Sequence, residues 1–352
     1  MKLVRVEELK ENQILARPVL MNDYTVLLGE GTKMRDVYID KLKELDIAFV
    51  YVEEDPSERR EERAILREET ERDVHDKVKG ALEHHLYNNN TGLSVLSKTA
   101  DEIITEILNE EEVLDRVLEI KQRSADLYEH SINVCALSTI VSLREGFNRV
   151  SVHDIGVSAL LHDLGLRYLT VPYENSDIFS LSENEIQEYT KHPIYAYTVL
   201  KDEKWISERS KTVILQHHEH LDGSGYPLRA SNLLPETQVL TICDTFDEMI
   251  CGIGWKQMKV YEAVEYLRVY KGVCFNARYV DTFLHFTAVY PSGSRVRLSD
   301  GRCGTVLRQN SQFPERPVLN IVEENENMTV VSVSEVDLID YPSLVIEEVL
   351  GE

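Results

Sequence analysis

A pair of adjacent histidines followed by a glycine-rich turn places the strongest constraint on this chain. His217 and His218 end an apolar stretch of the sequence. The turn that follows them contains Gly223, Gly225 and Tyr226. Two neighbouring polar imidazoles are costly to bury unless they have partners, so packing alone explains them poorly. The segment therefore indicates a functional site.

Further ligand-type side chains stand at the ends of apolar, helix-like stretches or within them. They are His130, His162, Asp163, His192 and Asp244. Imidazole and carboxylate ligands together suit iron, manganese, zinc or nickel. Two such ions about 3.5–4 Å apart can activate a water and stabilise both the attacking and the leaving oxygen of a phosphodiester. A lone histidine is more often a structural residue, but the whole set predicts a metal site.

Local spacing adds two expectations about this site. Asp126 and His130 stand four residues apart, a separation that puts two side chains on one face of a helix. Pro193 fits the first turn of a helix, so the spacing predicts His192 at a helix start.

The order His, His-Asp, His-Pro, His-His-Glu, Asp over most of residues 120–285, together with the Gly-Tyr-Pro turn, resembles the HD-GYP family of metal-dependent phosphodiesterases. The resemblance implies an enzyme that hydrolyses cyclic di-GMP to linear pGpG or GMP. It implies two divalent cations, iron or manganese, and a third in members that carry a carboxylate, usually glutamate, at the position of Asp126. It also implies a GGDEF-type signalling partner.

The resemblance assigns roles to individual residues. It makes His162 and Asp163 the predicted catalytic residues, with Asp163 bridging the cations. The predicted metal ligands are His130, His162, Asp163, His192, His217, His218 and Asp244, with Asp126 for a third cation. The predicted substrate contacts are Gly225, Tyr226, Trp255 and Lys256. Glu219 and Asp247 are predicted to orient ligating histidines, as outer carboxylates commonly do.

The chain departs from the family at positions that contact substrate. Leu166 replaces a lysine that touches the scissile phosphate, and such a cation clamp can be worth about 10²–10³ in rate. Gln238 replaces an arginine, and Trp255-Lys256 stands where the family has Arg-Pro-Tyr-Arg. These changes leave a slow phosphodiesterase and a non-catalytic cyclic-dinucleotide receptor as alternatives. A general HD nucleotidase is a third, opposed by the intact Gly-Ser-Gly-Tyr-Pro turn.

Charge and cysteine content restrict the partners and the compartment. The formal net charge of −24 repels nucleic-acid polymers and anionic membranes. It would also repel a phosphodiester unless bound cations reverse the field locally. The five scattered cysteines form no Cys-x-x-Cys pair, which is typical of the reducing cytosol. An apolar signal segment is not evident, so we expect a cytoplasmic chain.

The sequence predicts a multidomain, mainly α fold. A helical HD-GYP bundle at 116–288 is flanked by a small N-terminal α+β regulatory unit at 1–53 and a small C-terminal β unit at 289–352. Residues 54–115 form a charged helical linker, in which opposite charges recur at helical spacing. This linker also favours a homodimer.

Overall fold

The structure, a computed structural model, describes residues 2–20, 26–45, 47, 49–53, 65–88, 92–109, 117–120, 122–324 and 330–350. The chain divides into two compact units. One comprises Met1–Glu62, Ser292–Asn310 and Arg316–Glu352, and the other comprises Arg63–Pro291 with Ser311–Glu315.

The N-terminal part of the first unit is a small α+β module. Its strands are Lys2–Arg5 (β1), Val19–Leu20 (β2), Val26–Leu28 (β3) and Phe49–Val52 (β4). They pair antiparallel, β1 with β4 and β2 with β3. Helix α1 (Asp36–Glu44) buries Ile39 and Leu42, which share one face because they are three residues apart. Both side chains join the apolar core of this module.

The C-terminal part of the first unit is a five-stranded antiparallel sheet. Its strands are Arg295–Leu298 (β5), Cys303–Arg308 (β6), Val318–Glu324 (β7), Val330–Asp337 (β8) and Ile346–Val349 (β9). Their order in the sheet is β8-β7-β6-β5-β9. In β5, Val296 and Leu298 are buried while their arginine neighbours are exposed, the period of two expected of a sheet with one apolar face.

The second unit is helical. Its helices are Glu68–Asn88 (α2), Val95–Asn109 (α3), Leu127–Arg144 (α4), Arg149–Leu161 (α5), Glu183–Tyr189 (α6), His192–Leu200 (α7), Glu208–Gln216 (α8), Pro235–Cys251 (α9), Val260–Tyr270 (α10) and Ala277–Phe286 (α11). Helices α4, α5 and α9 pack against one another at its centre. They carry buried residues on most of their faces, which is typical of helices inside a core.

Helix ends position the polar residues of this unit. The side chain of Asp126 caps α4 by accepting hydrogen bonds from the backbone N–H groups of Tyr128 and Glu129. Pro235 opens α9, which stops at Gly252 in a left-handed conformation with φ 81°. A 3-10 helix, His162–Tyr168, follows α5 directly. Its first two residues, His162 and Asp163, therefore lie in a tighter turn than that of an α-helix.

The predicted fold class is confirmed, because a mainly helical region is accompanied by a small α+β module and a small C-terminal sheet. Strand β9 and the 3-10 form of residues 162–168 were not anticipated. Part of the predicted charged linker, residues 54–64, 89–91 and 110–115, lies outside the described residues. The division at residues 53, 115 and 288 stays a prediction.

Among the described residues, no helix is both long enough and apolar enough to span a membrane.

Candidate metal centre

The predicted ligands come from five separate segments of the helical unit and meet at one place. They are His130 in the first turn of α4, His162 and Asp163 at the start of the 3-10 helix, His192 as the first residue of α7, His217 and His218 after α8, and Asp244 within α9. Each residue is at most 6% exposed. The expectation that His192 begins a helix is correct.

One group of ligand atoms is formed by His130, His162 and Asp244. The Nε2 atoms of His130 and His162 lie 3.1 Å apart, and each lies 3.1 Å from Asp244 Oδ1. The Nδ1 of His162 donates a 2.7 Å hydrogen bond to the Ala159 carbonyl. Because that nitrogen carries the proton in a neutral ring, Nε2 of His162 presents a lone pair to the group.

A second group is formed by Asp163, His192, His217 and His218. The Nδ1 atoms of His192 and His217 donate to the carbonyls of Tyr189 and Ile214 at 2.9 and 2.7 Å. Their Nε2 atoms therefore carry lone pairs, and these atoms face each other at 3.1 Å. Two acceptors at that separation repel each other unless a cation lies between them, so the residues fit a bound metal ion.

Asp163 lies between the two groups. Its Oδ1 is 3.4 Å from His192 Nε2 and 3.7 Å from His217 Nε2. Its Oδ2 is 3.5 Å from His130 Nε2 and 3.4 Å from His162 Nε2. Both oxygens are buried without a hydrogen-bond partner, an arrangement that buried polar atoms rarely adopt unless an ion or water completes it. The donor set thus fits two cations that share this carboxylate.

The electrostatics of the two groups differ. Burial lowers the pKa of His192 to about 3, and burial with the neighbouring His217 lowers the pKa of His218 as well. Burial alone would also lower the pKa of His162, but the carboxylates of Asp163 and Asp244 raise it to about 10. The rings of His192 and His218 are therefore neutral and suited to coordination, while the carboxylates beside His162 attract positive charge.

Asp247 orients one of the ligating histidines. His130 Nδ1 donates a 2.8 Å hydrogen bond to Asp247 Oδ2, and the other carboxylate oxygen pairs with Arg123. Burial would raise the pKa of Asp247, but the charge of Arg123 and the bond from His130 hold it below its ordinary range. Arg123 was missed at the sequence level, since no local motif connects residues 123 and 247.

Asp126 caps helix α4, whereas its spacing from His130 indicated that the two side chains share one face of a helix. Its Oδ1 accepts from Tyr128 N at 2.8 Å and Glu129 N at 3.0 Å. The backbone of Asp126 is extended, with φ −122° and ψ 114°. The four-residue rule for a shared face requires both residues to be helical, and Asp126 lies just outside the helix. It is not brought into either group of described ligands.

Glu219 and the glycine-rich turn form a closed loop beside His218. The oxygens of Glu219 accept from Leu228 N at 2.5 Å and Ala230 N at 2.8 Å, so this carboxylate fixes the loop rather than a histidine ring. The ring of Tyr226 stacks on His218 with centroids 4.6 Å apart. Tyr226 therefore forms one wall of the candidate site.

The other predicted substrate contacts are placed less directly. Trp255 packs edge-on against Phe179 and Tyr266, and Lys256 is exposed. The described contacts of these two residues do not join them to the histidine cluster. Their role as substrate contacts stays a prediction.

Gly225 is required by the close approach of its own loop. A Cβ at this position would overlap the backbone of His218, Glu219 and His220. We expect Gly225→Ala to lower the free energy of unfolding by about 1–3 kcal/mol, as overpacking generally does. Gly80→Ala, in open space on α2, should instead raise it by roughly 0.5–1 kcal/mol. Urea unfolding of both variants checks this, and equal midpoints would contradict it.

Leu166, which stands at the family's lysine position, lies in an apolar cluster. It is 1% exposed and packs in a cluster with Ile178, Tyr189 and Ile253. The adjacent Arg167 does not replace the lysine, because its Nη1 donates to the Tyr128 hydroxyl at 2.8 Å.

Glu248 is a buried residue of the centre that the sequence reasoning missed. It is 3% exposed and follows Asp244 by four residues on α9, so helical spacing could have found it. Burial and the charge of Asp244 raise the pKa of Glu248 well above its ordinary value.

Comparison with known proteins places this centre in a family. Residues 112–278 match the family described as HD domain, and residues 295–352 match the KOW domain associated with HD domain. A cyclic di-GMP phosphodiesterase of Pseudomonas aeruginosa is 27% identical over 245 residues, 69% of this chain and 59% of that protein. A cyclic di-GMP phosphodiesterase of Thermotoga maritima is 29% identical over 220 residues, 57% of each chain. The chain thus spans less than two thirds of the length of these curated relatives.

A solved structure shares the fold. An HDG"Y"P protein from Bdellovibrio bacteriovorus aligns with a TM-score of 0.53 at 18% identity, covering 80% of this chain and 97% of that one. Residues 112–278 are therefore an HD domain similar to those of cyclic di-GMP phosphodiesterases, and the solved structure shares the fold.

Proposed function

We propose that the chain is a metal-dependent phosphodiesterase that hydrolyses cyclic di-GMP to linear pGpG or GMP. The observation that carries the proposal is Asp163, whose two unpartnered, buried oxygens face two separate histidine groups. The names of the relatives, all cyclic di-GMP phosphodiesterases, support the choice of substrate.

The chain's own residues would bind and orient two divalent cations, iron or manganese. His130, His162 and Asp244 would hold one, and His192, His217 and His218 the other, with Asp163 shared. When bound, such a pair supplies an activated water and stabilises the attacking and leaving oxygens. The carbonyls that accept from Nδ1 of His162, His192 and His217 fix the rings before substrate arrives. Pre-orientation of this kind avoids reorganisation during the reaction.

Three further features bear on the substrate and the rate. The net charge of −24 disfavours approach of an anionic dinucleotide, so the cations would supply the local attraction. Tyr226, stacked on His218, presents a flat ring beside the centre on which a base can stack. Leu166 provides no cation for the scissile phosphate, which supports slow turnover.

A second candidate is a receptor that binds cyclic di-GMP without hydrolysing it. The apolar surroundings of Leu166 favour it, because a site built for phosphate transfer needs a cation at developing charge. The GGDEF-type partner, the homodimer and the cytoplasmic location rest on sequence inference alone and stay predictions.

The first test is cyclic di-GMP turnover by protein purified without oxygen, with the metal content measured on the same sample. Two or more cations per chain together with release of pGpG or GMP would support the phosphodiesterase. Bound metal and tight nucleotide binding without any product would instead favour the receptor. Turnover of mononucleotides alone would point to a general nucleotidase.

Leu166→Lys separates a detuned enzyme from a receptor. We expect it to raise turnover by about tenfold or more, since the family resemblance implies that a lysine at this position contacts the scissile phosphate. Leu228→Lys is the control. Leu228 is 53% exposed on the loop that follows Tyr226, so a lysine there should change the rate little. A folded Leu166→Lys protein with unchanged turnover would speak for the receptor.

A further inference from the structure

Another group of ligand-type side chains lies outside the candidate metal centre, beside the glycine-rich turn. His220 and Asp222 stand at the start of this turn, and Cys274 lies in the connection between α10 and α11. One nitrogen of His220, one carboxylate oxygen of Asp222 and the sulfur of Cys274 lie within 4.8 Å of one another. None of the three is a ligand in the proposed pair of cation sites, so the group needs an explanation of its own.

The two segments that supply these side chains are held together by other contacts. Leu221 N donates a 2.9 Å hydrogen bond to the carbonyl of Cys274. The ring of His220 packs edge-on against Phe275, with centroids 5.4 Å apart. The three ligand-type side chains are therefore adjacent before any ion binds, and such preorganisation lowers the cost of binding.

The sulfur of Cys274 faces oxygen atoms with which it interacts weakly. Cys274 is 8% exposed, and its Sγ lies 3.7 Å from Asp222 Oδ2 and 3.9 Å from Ser224 Oγ. A neutral thiol is a weak hydrogen-bond donor, so it gives a neighbouring carboxylate little compensation. A cation between the sulfur and the carboxylate would interact strongly with both.

The spacing of these atoms fits a tetrahedral cation. Zinc–sulfur bonds of about 2.3 Å and zinc–oxygen bonds of about 2.1 Å place the two ligand atoms roughly 3.6 Å apart. The distance between Cys274 Sγ and Asp222 Oδ2 is 3.7 Å. His220 Nδ1 lies 2.9 Å from Ser224 Oγ, the hydroxyl that also borders the sulfur, so the ring stands on the same side of the turn.

The donor set indicates which ion would bind. Thiolate is a soft ligand, which suits zinc better than manganese or magnesium. Burial, reinforced by the charge of Asp222, raises the pKa of Cys274, so the thiol keeps its proton when no ion is bound. Coordination deprotonates a thiol outright, and the proton is released to solvent.

We infer that His220, Asp222 and Cys274 form a zinc site that ties the glycine-rich turn to residues 271–275. Water is the fourth ligand, as at zinc sites with three protein ligands. The inference goes beyond the proposed function and does not depend on it, because the two sets share no ligand. Since the same turn carries Tyr226, zinc would restrain one wall of the candidate metal centre.

Co²⁺ is the probe for this site, because a cobalt–thiolate bond gives a charge-transfer absorption that imidazole and carboxylate ligands do not. The full chain is first incubated with Mn²⁺, to fill the proposed pair of cation sites, and is then titrated with Co²⁺. We expect one saturable thiolate band, which disappears when Zn²⁺ displaces the cobalt. Cobalt that enters the histidine centre does not contribute to this band.

The other cysteines provide matched controls for the thiolate. Cys274→Ser should abolish the band, whereas Cys303→Ser and Cys251→Ser should keep it. Cys303 is exposed and reports on binding to any accessible thiol. Cys251 is buried close to His130 and reports on cobalt bound beside the histidine centre.

The other two ligands are tested by asparagine substitutions. Asp222→Asn and His220→Asn should each weaken Co²⁺ binding at least about tenfold, a loss that even an outer partner of a ligand can cause. Asparagine at 222 keeps an acceptor for Ser224 N. Asp177→Asn is the control, because Asp177 is also exposed and accepts a similar bond from Phe179 N.

Three results would overturn the inference and leave the two-cation proposal intact. They are a wild type without the thiolate band, a band that persists in Cys274→Ser, and unchanged Co²⁺ affinity in both asparagine variants. Asp222 is exposed, so its variant keeps the test decisive if the Cys274 variant is not recovered folded.

Discussion

Asp163→Asn is expected to abolish paired cation binding and to lower phosphodiester turnover by at least about 10³-fold, the upper end of the loss caused by removing one transition-state donor. The substitution keeps the shape of the side chain but turns one of its two acceptor oxygens into a donor. That donor would point at histidine nitrogens 3.4–3.7 Å away, where a positive ion is expected. Metal analysis and product release on the same sample measure both effects.

Asp154→Asn is the control for this experiment. Asp154 is another buried aspartate, and its Oδ1 accepts from Ser207 at 2.8 Å, a bond that asparagine can retain. It should keep metal content and rate near those of wild type. Full metal content in Asp163→Asn would contradict the bridging role of this carboxylate.

Arg123→Met is expected to lower the free energy of unfolding by roughly 3–5 kcal/mol, the usual cost of breaking a buried ion pair. Asp247 is fully buried and the Arg123 side chain is 15% exposed, so water cannot take the place of the guanidinium. The freed carboxylate would also hold His130 less firmly, and outer partners of this kind are worth about 10–100-fold in metal affinity. Denaturant unfolding of the metal-free protein and a Mn²⁺ titration separate the two effects.

Arg297→Met makes the same substitution in an exposed pair. Arg297 and Glu348 are 48% and 53% exposed, and surface pairs contribute at most about 1 kcal/mol. A similar loss of stability in both variants would show that the Arg123–Asp247 pair has no special importance.

The sequence was most informative at the ends of helices, where the type of a residue and its neighbours both indicate where the helix begins or ends. His192 beside Pro193 predicted a helix start, and the structure has one. His217 and His218 end an apolar stretch of the sequence and lie directly after α8. Such predictions succeed because a helix end is set by neighbouring residues, which the sequence displays.

Two errors of omission have different physical causes. Arg123 pairs with a residue 124 positions away, and that contact depends on the packing of whole helices, which no local pattern encodes. Glu248 was overlooked although its spacing from Asp244 places it on the same face. Asp126 is the opposite case. It stands four residues before His130, but it is the N-cap of α4 and lies outside the helix, so the four-residue rule for a shared face does not apply to it.

The scattered origin of the ligands has a consequence for the lifetime of the folded chain. Five segments between residues 130 and 244 contribute to one centre, so bound cations would act as cross-links that close long loops. A ligand that binds only the folded state at 100 times its Kd stabilises it by about 2.7 kcal/mol. The melting temperature of the helical unit is therefore expected to rise with the concentration of free metal. Removal of the metal would make this unit more sensitive to proteolysis, in addition to abolishing metal-dependent turnover.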